Sequence, residues 1–176
     1  KTIDFLKSQG LLNGKNFIQR ITDKLSEEDL RRVHSPEFIS KLLGSGADSE
    51  IIRTYELVDS DGNYNRYSPD TAVKPLSGLV KILIRQAEGT LQAGLTALDR
   101  GFCFFLGGGM HHAQYERGAG FCLLNDMVLA ARKIREKGLI KKAWIIDVDA
   151  HKGDGTAALC TEDSKIFTLS IQDRKS

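Results

Sequence analysis

Residues 141–155 read KKAWIIDVDAHKGDG, and the run changes character half-way along. Lys141 to Asp149 is a short stretch of branched and aromatic residues, the pattern of a buried β-strand. Side chains alternate faces along a strand, so Asp147, Asp149 and His151 point the same way if the strand persists. Two carboxylates and an imidazole on one buried side each carry a heavy desolvation penalty unless something compensates it. A cation is the direct compensation. An Asp with a His suits a divalent ion such as zinc or ferrous iron, and carboxylate with backbone oxygens suits an alkali or alkaline-earth ion. The plainer alternative is a strand end whose polar residues are solvated or cap the next helix. A calcium EF-hand is excluded, because Lys152 stands where that loop needs Gly and Ala158 where it needs the final Glu.

The neighbouring segments give this strand its context. SKIFTLSIQD (164–173) reads as a further buried strand, and GFCFFLGGG (101–109) as a third, stopped by glycines. Between them FCLLNDMVLAARKIREKG (121–138) is an amphipathic helix, with basic residues towards its end and Gly138 as its stop. Thr71 to Arg100 carries a helical pattern, broken or bent near Gly89. LVDSDGNYNRYSPD (57–70) is a loop. LSEEDLRRVHSPEFISKLL (25–43) reads as two short helices, the first with a Ser26–Asp29 capping box and the second opened by Ser35-Pro36. TIDFLKSQGLL (2–12) has helical spacing. Strands alternating with helices predict an α/β fold with a central parallel sheet, in which ligands bind at the carboxyl ends of the strands.

A second stretch lies at such a carboxyl end, that of the strand expected at 101–109: GGGMHHAQYERGAGF, residues 107–121. The chain has 4 histidines, and two of them stand side by side here. Neighbouring side chains point apart, so His111 and His112 are not a chelating pair. Each can instead act in acid–base chemistry with its own partner, usually a carboxylate on the other ring nitrogen that fixes the tautomer. Asp147 and Asp154 are the spare carboxylates. The plainer alternative is a surface loop with two ordinary histidines.

Composition narrows the function classes. The 176 residues suffice for one domain with a core. A formal charge of +2, with basic and acidic residues interspersed, argues against direct nucleic-acid binding. No run is long and apolar enough for a membrane span. The N-terminus lacks the apolar core of a signal peptide, and without an initiator Met the chain is expected to start inside a larger protein. The 3 cysteines lack CxxC spacing, which predicts thiols in a reducing cytoplasm; Cys103 and Cys122 are expected to be buried.

Taken together, GGGMHHA (107–113), GFCLLNDMVLAA (120–131), DVDAHKGDG (147–155) and TLSI (168–171) resemble the histone deacetylase family, with its acetylpolyamine amidohydrolase and acetoin-utilisation relatives. Order and gaps match from about Gly89 to Ile171, and VHSPEFISKL (33–42) and EGTLQAG (88–94) look similar too. The resemblance implies a three-layer arginase/deacetylase-type α/β fold around a parallel sheet. It implies that Asp149 and His151 bind a catalytic zinc, with iron(II) as an alternative. It implies that His111 and His112, held by Asp147 and Asp154, act on the metal-activated water and the transition state. Gly120 and Phe121 match a wall of the narrow acyl-lysine channel. A structural potassium ion would be held by groups matching Asp147, Asp149, His151, Ser170 and Ile171. The implied reaction is hydrolysis of an acetyl or similar acyl group from N-acyl-lysine or a small N-acylated amine.

The family's third zinc ligand, an Asp, and its oxyanion-binding Tyr are expected beyond Ser176. Residues 1–176 are therefore expected to be a single, partial, deacetylase-like catalytic domain. A family Asp that grips the substrate backbone has no clear match, since Asp70 in NRYSPDT is not in an obviously corresponding place. An arginase-type site is disfavoured because Lys152 and Gly153 stand where extra metal-binding aspartates would be needed. The non-enzymatic alternative is a catalytically incomplete acyl-lysine-binding or scaffold domain of the same fold. Oligomeric state is not legible.

Overall fold

The computed structural model describes residues 1–13 and 20–172. Helices come first: α1 (Thr2–Ser8), α2 (Glu27–Arg31), α3 (Pro36–Leu43), α4 (Ala47–Thr54), a 3-10 turn (Pro69–Thr71), α5 (Gly78–Arg100) and α6 (Asp126–Glu136). They are followed by β1 (Ala143–Asp147), α7 (Asp154–Cys160) and β2 (Ile166–Ser170). The two strands pair in parallel, Ala143 opposite Ile166 and Asp147 opposite Ser170, so β1–α7–β2 is a crossover unit.

Local chemistry sets the helix ends. Ser26 accepts the Asp29 N–H, and the Asp29 carboxylate accepts the Ser26 N–H, the expected capping box. Ser35 caps α3 with Pro36 at its first position. Asn125 caps α6 by accepting the Val128 N–H, so this helix starts later than its apolar pattern suggests. Leu83, Ala87 and Leu91 of α5 and Val128, Leu129 and Ile134 of α6 belong to one buried core, with Ile39 and Ile51 below them and Ile145 and Ile166 from the strands.

Three expectations are corrected. The helix expected from Thr71 begins at Gly78, because Pro75 disfavours helical backbone at Lys74, and it runs on through Gly89. Gly89 serves close packing: a Cβ there would lie 2.2 Å from the Phe105 ring. The run 101–109 forms no strand among the described residues. Phe102 and Phe104 are 75% and 73% exposed, Cys103 and Phe105 are half-buried, and no described strand lies alongside to take the backbone hydrogen bonds. Cys103 is thus less buried than expected, whereas Cys122 and Cys160 are buried thiols.

The third correction concerns the strand that carries the site. It ends at Asp147 rather than continuing to His151. Asp147 Oδ1 accepts the Asp149 N–H at 3.0 Å, and Asp149 Oδ1 accepts the His151 N–H at 2.8 Å. Each Asp bonds the backbone two residues on, and these successive Asx turns curl the chain out of the strand. No helix among the described residues is long and apolar enough to cross a membrane.

Candidate active site

The carboxyl end of β1, the start of α7 and the glycine-rich loop before α6 converge. His111 and His112 lie on the loop, their rings 4.1 Å apart and tilted by 48°. His111 Nδ1 lies 2.6 Å from Asp147 Oδ2, and His112 Nδ1 lies 2.6 Å from Asp154 Oδ1. A carboxylate only accepts, so both imidazoles carry their proton on Nδ1 and keep Nε2 for other work. The loop is tied to α7 by Thr156, whose N–H donates to the His111 carbonyl at 2.9 Å.

Asp154 shows how such a pair is stabilised. Burial works to raise its carboxyl, but hydrogen bonds from His112, the Gly155 backbone and Gln114 outweigh burial and hold it below the usual carboxylate value. The Gln114 amide donates to Asp154 Oδ2 at 3.3 Å.

Asp149 and His151 sit beside this pair, both exposed, with Asp149 Oδ1 3.0 Å from His151 Nδ1. The His151 ring lies 6.1 Å from that of His112. The His151 backbone and ring nitrogens, together with nearby His111, hold the Asp149 carboxyl below its ordinary value. One carboxylate and one imidazole suit a divalent cation and make up part of a donor set. Among the described residues no group of three or more His, Cys, Asp or Glu side chains could hold a metal ion, so these two would need a further ligand.

The residues matched to a potassium site also gather here. Asp147 and Ser170 are register partners, the Ile171 N–H donates to the Asp147 carbonyl at 2.8 Å, and Ser170 Oγ accepts the Gly153 N–H at 3.2 Å. Asp147, Lys152, Thr156, Thr168 and Ser170 are among the residues that line a cavity of about 310 Å³. Gly120 backs onto the second histidine: a Cβ there would lie 2.5 Å from His112 Cδ2. Phe121 has φ of 63°, a strained value for an aromatic residue, and Arg66 stacks over its ring at 5.5 Å. Asp70 lies in the exposed 3-10 turn.

Three further residues were not singled out from the sequence. His34 is fully buried, with Nδ1 2.7 Å from the Gln114 carbonyl and Nε2 accepting the Asn125 N–H at 3.0 Å. Asn125 also donates to Thr156 Oγ1 at 2.9 Å. Asp126 lies under the loop itself. An Asn ahead of an apolar helical run is an N-cap signal that could have flagged Asn125; nothing local marks His34, whose partners Gln114 and Asn125 lie 80 and 91 residues away.

The histone deacetylase domain profile matches residues 1–176. The chain belongs to the histone deacetylase family. Histone deacetylase 2 of Arabidopsis thaliana is 29% identical over 170 residues, covering 95% of this chain and 40% of that protein. The acetoin utilization protein AcuC of Staphylococcus aureus is 32% identical over 154 residues, covering 79% of this chain and 39% of its own length. The crystal structure of a histone deacetylase homologue from Aquifex aeolicus superposes with a TM-score of 0.71 at 23% identity, covering 97% of this chain and 43% of that one. A homologue solved in complex with SAHA gives 0.68 at 24% identity. The fold is thus that of the deacetylases, and the chain spans less than half the length of these relatives.

Proposed function

We propose that residues 1–176 form part of a single catalytic domain of a metal-dependent deacetylase, one that removes acetyl or a similar acyl group from N-acyl-lysine or a small N-acylated amine. The observation that carries this reading is the doubled His–Asp arrangement: two adjacent imidazoles, each with its own carboxylate on Nδ1. A surface loop has no use for two such pairs.

Asp149 and His151, with a ligand from outside the described residues, would hold zinc or iron(II). When bound, the metal polarises the amide carbonyl and makes water a nucleophile near neutral pH. The chain's own groups supply the proton traffic. Asp147 and Asp154 orient the imidazoles and stabilise them when charged. The Nε2 of one histidine takes the proton of the attacking water, and the protonated pair returns a proton to the amine nitrogen as the C–N bond breaks. Water and amide become carboxylic acid and amine, with no covalent enzyme intermediate. Oxygen atoms of Asp147, Asp149, His151, Ser170 and Ile171 would hold potassium, bracing the strand end. Phe121 and Gly120 would wall the acyl channel.

The test uses the full-length protein that contains this chain. Metal content is measured beside hydrolysis of a fluorogenic acetyl-lysine substrate, with His111→Ala, His112→Ala and Asp149→Ala in parallel. Near-stoichiometric zinc, and activity lost in all three variants, is the expected result. Bound metal without turnover of any acylated amine would favour a binding or scaffold domain. No metal in the intact protein would remove Asp149 and His151 as ligands.

A further inference from the structure

The glycines that precede His111 are wound around a buried carboxylate. Asp126, the first residue of α6, is 1% exposed. Its Oδ2 accepts the Thr90 hydroxyl of α5 at 2.5 Å and the Gly109 N–H at 3.1 Å, and its Oδ1 accepts the Met110 N–H at 2.8 Å. Gly108 and Gly109 have φ of +80° and +79°, and a Cβ on Gly108 would lie 2.4 Å from Asp126 Oδ2 and 2.6 Å from Thr90 Oγ1. Only glycine allows both the left-handed backbone and the close approach. Successive N–H groups so arranged form an anion-binding nest, and the anion here is the protein's own side chain. The His111 N–H then donates to the Gly109 carbonyl at 2.8 Å, which closes the turn directly at the first histidine.

We infer that Asp126 is a positioning residue of the site: its carboxylate sets the loop geometry that delivers His111 and His112 to Asp147 and Asp154. The inference rests on the deacetylase reading. Asp126 touches no reacting atom and acts through the backbone. The isosteric amide cannot replace it. Its two loop donors reach different carboxylate oxygens, and Asn offers one oxygen and one NH₂. Whichever way the amide turns, its NH₂ faces the N–H of Gly109 or of Met110, and one buried donor is orphaned.

The experiment compares full-length, metal-loaded wild type with Asp126→Asn, Thr90→Val and Thr90→Ser. It reads kcat and KM on the acetyl-lysine substrate, melting temperature, and the downfield Nδ1 proton resonances of the carboxylate-bound histidines. Asp126→Asn should lower kcat about 10- to 100-fold while leaving KM within about twofold, and should shift those resonances. Thr90→Val, which keeps both backbone contacts, should cost about 3- to 10-fold, and Thr90→Ser should restore the wild-type rate. If Asp126→Asn does not fold, the Thr90 pair carries the same test. Wild-type kcat in folded Asp126→Asn overturns the inference. So does a lower melting temperature with the resonances and the rate per folded molecule unchanged. Should wild type hydrolyse no acylated amine, the deacetylase reading fails separately. The resonances then decide: a shift in Asp126→Asn supports the positioning role, and constancy overturns it.

Discussion

Asp147 Oδ2 lies 2.6 Å from His111 Nδ1, while Asp147 Oδ1 accepts the Asp149 N–H at 3.0 Å. One carboxylate thus orients a candidate base and ends the strand that carries it. Asp147→Asn would turn its NH₂ towards one of these two donors. If the full-length protein is the proposed deacetylase, its kcat should fall about 10- to 100-fold. Combined with His111→Ala it should add little to the single His111→Ala loss, because the two groups act as a unit. Steady-state kinetics of the double-mutant cycle checks this, and fully additive losses would separate the two residues.

His34 predicts a pH dependence of stability. Burial pushes its imidazole down from 6.5 to about 4, against the raising effect of its hydrogen bond to the Gln114 carbonyl. The folded state therefore binds fewer protons than the unfolded state between these values. Stability from this group is complete above about 6.5 and is lost as pH falls towards 4. The loss is on the order of 3 kcal/mol. Urea unfolding from pH 7.5 to 4 measures it, and His34→Phe should flatten the slope over that interval.

Phe121 supplies both a candidate channel wall and the ring beneath Arg66. Phe121→Ala removes the aromatic surface while leaving the His–Asp pairs intact. KM should rise about tenfold, and kcat should change far less. A kcat loss with constant KM would remove Phe121 from the binding surface.

One face of the strand pair carries Trp144, Ile146 and Leu169, all exposed, with Trp144 stacked on Phe167 at 4.9 Å and Val148 and Ile171 exposed just beyond the strand ends. Parallel sheets are normally covered on both faces. In a polypeptide of these 176 residues alone, the single tryptophan should emit as a solvated indole and be quenched readily by acrylamide. In the full-length protein its emission should shift to the blue. Equal spectra and equal quenching would show that the face stays open.

The sequence by itself determined the residue types and most of the local elements. The Ser26–Asp29 and Ser35-Pro36 signals act within a few residues and appear in the structure as read. The apolar runs at 143–147 and 166–170 form strands as read and pair in parallel, each burying one branched side chain, Ile145 and Ile166. The motif pair around His111 and Asp149 carried the family. What only the tertiary structure decided depends on contacts between distant residues. The apolar run at 101–109 could become a strand only with a partner beside it. The glycines at 108 and 109 read as a turn; that they enclose Asp126, seventeen residues on, is set by the packing of α5 against α6. Pattern and capping are local properties and survive in a linear string. Burial and polar pairing are not, because they depend on which surfaces the fold brings together.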